Sequence, residues 1–101
     1  MIFHVTATHR PQNCSAHRPE RQKAFRDLFS RAQGLGVKLH GNYVDAPGHA
    51  AYIVMESEDA MAISRLLEPV LEYGHYEIRP VVDTVRLMNE LANGDEEEPV
   101  R

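Results

Sequence analysis

The stretch HVTATHRPQNCSAHRPE, residues 4–20, carries His4, His9, Cys14 and His17, and Cys14 is the only cysteine in the chain. Imidazole nitrogens and a thiolate together suit zinc, copper or nickel. No short-spaced ligand pair such as CxxC or HxH occurs, so any such site must be assembled by the fold. Cys14 also stands near a helix start beside His17 and Arg18, a setting that favours a reactive thiolate. No oriented base or oxyanion site completes a nucleophilic constellation around it. The alternative is that these are strand-end and loop residues that hydrogen-bond backbone or water.

The elements that must position these groups can be read from periodicity. Ile2 to Thr8 alternates and is rich in β-formers, which predicts a strand. RPQNCSAHRPE then reads as a mobile loop. Pro19 fits the first position of a helix, where its missing N–H costs nothing. Phe25, Leu28, Phe29 and Ala32 recur at helical spacing, and Gly34 and Gly36 end that helix. Val37 to Asp45 and Ala50 to Glu56 form a hairpin around the turn Ala46-Pro47-Gly48-His49. Ser57 is the expected cap of a second helix through Ile63, Leu66, Leu67 and Val70, kinked near Pro69 and stopped by Gly74. His75 to Val82 is a fourth strand. Asp83 caps a last helix through Leu87 and Leu91, closed by Gly94, and DEEEPVR is a frayed acidic tail.

The order is β-α-β-β-α-β with an added C-terminal helix. That order predicts an α+β, ferredoxin-like domain with a four-stranded antiparallel sheet and two helices on one face. At 101 residues the chain holds one domain, expected over 1–94, with a flexible acidic segment over 95–101.

The opening strand MIFHVTATH, the hairpin VKLHGNYVDAPGHAAYIVMES, the segment LLEPVLEYG and the closing strand YEIRPVV resemble the dimeric α/β-barrel superfamily. That group of small ferredoxin-like proteins includes antibiotic-biosynthesis monooxygenases and muconolactone isomerases. The resemblance covers residues 1–82. It implies sheet-to-sheet pairing into a homodimer and small ligands held between sheet and helices or inside the barrel. By that analogy a catalytic member would perform a cofactor-independent oxygenation or isomerisation.

Strand direction then gathers residues that are far apart in sequence. The first two strands run one way and the last two the other. The end of the first therefore meets the starts of the third and fourth. His9, Cys14, His17, His49 and His75 are expected at this rim, beside Thr8 and Asp45. They form the candidate set for Zn, Cu or Ni. A second grouping is expected on the uncovered face of the sheet. There His4 or His40 could act as general base and Arg79 could hold a carboxylate or enolate. Thr6, Asn42, Ile53, Met55 and Glu77 would complete that ligand surface, while Tyr43, Tyr52 and Val54 would face the helices.

The net charge is −4, with Asp95, Glu96, Glu97 and Glu98 crowding the end. That balance argues against nucleic acid as a partner, since phosphate binding needs a concentrated basic face. The early basic residues, from Arg10 to Arg31, read as one solvated helix face. One cysteine cannot form an internal disulfide, no apolar run is long enough for a membrane, and the start lacks the pattern of a signal peptide. A cytoplasmic location is the expectation. Three functions remain: a homodimeric small-ligand-binding protein or cofactor-independent enzyme, a transition-metal-binding protein using the histidine rim, and a structural oligomerisation module.

Overall fold

A computed structural model describes residues 1–97. Strand β1 runs Ile2–Thr8, helix α1 Pro19–Arg31, β2 Lys38–Asp45 and β3 Ala50–Glu56. Helix α2 (Ala60–Leu67), β4 (His75–Val81) and α3 (Thr84–Glu97) complete the order. The strands form one antiparallel sheet in the order β2-β3-β1-β4. The result is an α+β domain with a four-stranded antiparallel sheet.

One face of the sheet is covered. Phe3, Val5, Ile53 and Met55 pack there against Leu28 and Ala32 of α1 and Ile63, Leu66 and Leu67 of α2. Val70 joins them from the short 3-10 segment after α2. Arg31 ties the two helices by donating from Nη2 to the Leu66 carbonyl at 3.0 Å. At about 25 cal/mol per Å² of apolar surface removed from water, this cluster is the main stabilising element of the domain. Pro80 sits on β4, an edge strand, where a missing backbone donor is tolerated. Gly36 closes the segment after α1 with φ 74°, a left-handed position that favours glycine.

The facing of β2 and β3 differs from the expectation. Ile53 pairs with Val5 and Met55 with Phe3, and residues directly opposite one another share a face. Ile53 and Met55 are therefore in the core, not on the uncovered side. Tyr52 is instead 39% exposed and Val54 pairs with His4 on the open face. The sequence AYIVMES is apolar in both alternate sets, so alternation alone cannot choose between them. In β2 a bulge between Leu39 and Gly41 shifts the register. Leu39 still packs inward, but beyond the bulge Asn42 pairs with Ile53 and Tyr43 with Tyr52. Asn42 therefore leaves the open face, and Tyr43 takes its place. An extra residue in one strand reverses the facing of everything after it.

Two helix limits also differ. Asp59, not Ser57, caps α2: its Oδ1 accepts from the Ala62 amide at 3.0 Å. Ser57 is buried and its amide donates to the Met1 carbonyl at 2.9 Å. Gly94 does not close α3, which continues to Glu97 and takes in Asp95 and Glu96. The rest of the expected tail, 98–101, lies outside the described residues. Asp83 does cap α3, accepting from the Arg86 amide at 3.0 Å. Helix α3 exposes Val85, Met88 and Leu91. The molecule is long, 59 × 31 × 17 Å.

Candidate metal centre

The rim expected from strand direction exists, with fewer members. Thr8 pairs with Ala50 and with His75, so the end of β1 meets the starts of β3 and β4. The His9 amide donates to the His49 carbonyl at 3.2 Å, extending the ladder one residue past β1. His49 itself is the last residue of the hairpin turn and adopts φ 54°. Its amide donates to the Ala46 carbonyl at 3.2 Å, and the Asp45 carboxylate accepts from the Gly48 amide at 3.0 Å. These bonds hold a non-glycine residue in a left-handed conformation that such residues rarely adopt.

This turn lays the His49 ring against the His9 ring. The rings meet edge to face at 77° with centroids 5.1 Å apart. Nδ1 of His49 lies 3.2 Å from Nε2 of His9, one nitrogen donating and the other accepting according to tautomer. Burial, more than the neighbouring His49 and Arg21 charges, pushes the His9 pKa below its usual 6.5. A neutral imidazole is the form that ligates metals.

Cys14 completes the group. One ligand atom from each of His9, Cys14 and His49 lies within 4.8 Å of the other two. The loop that delivers Cys14 contains regular local structure. It makes two 3-10 turns, Pro11–Asn13 and Ser15–His17. Gln22 of α1 donates from Nε2 to the carbonyls of Ser15 at 3.0 Å and Ala16 at 2.8 Å. Arg18 donates from Nη2 to the Gln12 carbonyl at 2.9 Å. Cys14 is thus pinned between two stapled turns.

His17 and His75 stand apart from this group. His17 is exposed on the second turn. His75 is exposed at the start of β4 and lies 3.7 Å from Glu77. Of the open-face residues, His4, Thr6, Glu77 and Arg79 are neighbours across β1 and β4, while His40 is engaged elsewhere. His4 pairs with Arg79 across β1 and β4, and its Nδ1 is 3.5 Å from the Thr6 hydroxyl. Arg79 donates to Glu77 at 3.0 Å. His40, at the bulge, bonds Glu56 at 2.6 Å at the other end of the sheet, and that bond holds the Glu56 carboxyl below its ordinary pKa.

A cavity of about 180 Å³ lies under the rim on the covered side of the sheet. His9, Ser15, Phe25, Phe29, Ala51 and Tyr73 are among its lining residues, and Asn42 and Ile53 also reach it. None of His4, His40 and Arg79 lines it. The Arg21 guanidinium covers the Tyr73 ring at 4.9 Å from its centroid. Neither Arg21 nor Tyr73 announces itself by spacing; both are placed by the packing of α1 against the segment before β4.

Residues 1–94 match the family described as Domain of unknown function (DUF3303). The chain belongs to this family. No curated protein matches it in sequence. Among solved structures it is similar to the crystal structure of SCO4226 from Streptomyces coelicolor A3(2), with 16% identity and a TM-score of 0.51. That likeness covers 79% of this chain and 99% of the Streptomyces chain, and it concerns the fold alone. No helix among the described residues is long and apolar enough to cross a membrane.

Proposed function

We propose that this DUF3303 domain binds a divalent transition metal of the zinc, copper or nickel class through His9, Cys14 and His49. The carrying observation is the convergence of two imidazoles and the only thiol within 4.8 Å. The 3.2 Å between the two ring nitrogens supports the reading. Two nitrogens at about 2.05 Å from a tetrahedral ion stand about 3.3 Å apart. The corresponding nitrogen–sulfur separation of about 3.6 Å is of the order of the 4.8 Å within which all three ligand atoms lie. Two neutral nitrogens and one thiolate form a borderline-soft set, which disfavours magnesium and calcium.

The test is metal quantification on purified, untagged protein, followed by competition among Zn²⁺, Cu²⁺ and Ni²⁺. One ion per chain is expected. It should be lost in His9→Ala, Cys14→Ala and His49→Ala and retained in His17→Ala and His75→Ala. Stoichiometric metal in the triple variant of the first three, or none in the wild type, overturns the reading.

A separate observation supports homodimerisation. The open face displays Tyr43 at 69%, Tyr52 at 39% and Val81 at 42% exposure, and α3 exposes Val85, Met88 and Leu91. A second copy laid on this face would remove those side chains from water. Sedimentation should give a dimer that Tyr52→Glu combined with Leu91→Glu converts to a monomer. A wild type that stays monomeric at tens of micromolar excludes this reading.

A further inference from the structure

Resting on the metal reading above, we propose that the centre works as an anchor. The metal takes the charged head of a small organic anion whose apolar body fills the cavity beneath it. Three protein ligands leave a tetrahedral ion one open position, the arrangement of sites that bind exogenous groups. His9 belongs to both features: it is a member of the ligand set and it lines the cavity. Ser15, directly after Cys14, also lines it. The centre and the cavity are therefore contiguous.

The cavity selects the body of the ligand. Its volume is about 180 Å³. A dry apolar cavity of about 150 Å³ is enough to hold benzene, so a single ring or a branched aliphatic group of similar size fits here. The walls are largely hydrocarbon, from Phe25, Phe29, Ala51 and Ile53. The hydroxyl of Tyr76, another lining residue, is already committed to the Val70 carbonyl at 2.8 Å. Polar side chains in the lining, Thr8, Ser15 and Asn42, are outnumbered by apolar ones.

Charge selects the head. Two neutral imidazoles and one thiolate leave a divalent ion with one uncompensated positive charge. A carboxylate or thiolate meets it; an amine does not. The ligand class is thus a compact aromatic or branched aliphatic carboxylate or thiolate.

The experiment uses Co²⁺ as a spectroscopic metal and benzoate as the probe, with acetate and benzylamine as comparisons. Co²⁺ binding is measured first, by its visible and thiolate charge-transfer bands. Benzoate should then shift those bands. It should bind Co²⁺-loaded protein about tenfold or more tightly than acetate does, because only benzoate buries a ring. It should move the methyl resonances of Ala51 and Ile53 in the Zn²⁺-loaded protein. Removing the metal should weaken benzoate at least several-fold. Ala51→Leu should weaken benzoate while leaving Co²⁺ binding in place; should that variant not fold, the methyl shifts of the wild type decide the same point. Failure to bind Co²⁺ removes the centre and this inference together. Binding of Co²⁺ with no benzoate response, equal affinity for benzoate and acetate, a preference for benzylamine, or unchanged benzoate affinity in metal-free protein overturns this inference and leaves the metal reading standing.

Discussion

Nδ1 of His49 and Nε2 of His9 lie 3.2 Å apart although the residues are 40 positions apart in the chain. The contact exists because the hairpin turn ends in a histidine with φ 54° whose carbonyl accepts from the His9 amide. Backbone and side chains of the same two residues are therefore locked together.

This lock makes an expected outcome for position 49. The left-handed conformation costs an L-residue about 1–2 kcal/mol that glycine does not pay. In metal-free protein, His49→Gly should be more stable than His49→Ala by about 1 kcal/mol. Both should lose the metal. Urea unfolding in the presence of chelator measures the difference, and equal stabilities would show that the turn carries no such strain.

Acid should weaken the metal-free fold through His9. Its folded-state pKa lies below 6.5, the value in the unfolded chain, first because of burial and then because of His49 and Arg21. Between those two values the unfolded chain binds more protons than the folded one, so stability rises with pH there. This contribution is intact above about pH 6.5, declines as pH falls below it, and levels off beneath the folded-state pKa. Unfolding midpoints of wild type and His9→Gln, compared from pH 7.5 to 5, should diverge in shape, with the variant flatter. Parallel curves would assign the acid sensitivity elsewhere.

Gly74 is a steric guard of the same site. Its backbone is ordinary extended structure, but a Cβ there would collide with the Thr8 carbonyl oxygen and press on the His9 side chain at 3.4 Å. Gly74→Ala must push the end of β1 away. A loss of about 1–3 kcal/mol is expected, with weakened metal affinity. Calorimetry and metal titration check the two effects, and an alanine variant unaltered in both contradicts the close approach.

The reversed facing of β3 can be checked by truncation. Met55 is fully buried and Val54 only partly so. Met55→Ala should cost about 2–5 kcal/mol. Val54→Ala should cost markedly less in the monomer. A larger loss at Val54 would place the wrong set in the core.

Element order, strand direction and the meeting of His9 with His49 were legible because they follow from hydrophobic period and antiparallel pairing. The facing of β3 was not, since Tyr52 and Val54, like Ile53 and Met55, present large and mainly hydrocarbon side chains. The facing of β2 depended on a bulge beside His40 that no local pattern marks. Exclusion of His17 and His75 from the group depended on the turns around Cys14 and on how far β4 begins from the hairpin. The cavity was invisible for a further reason: its lining comes from α1, all four strands and the segment before β4, and only packing assembles it.

Pro80 and the bulge beside His40 lie on the two outermost strands, β4 and β2. One lacks an amide and the other breaks the regular spacing of amides and carbonyls, so neither margin offers a clean template for an incoming strand. Growth into ribbons or fibrils by edge addition is thereby discouraged on both sides.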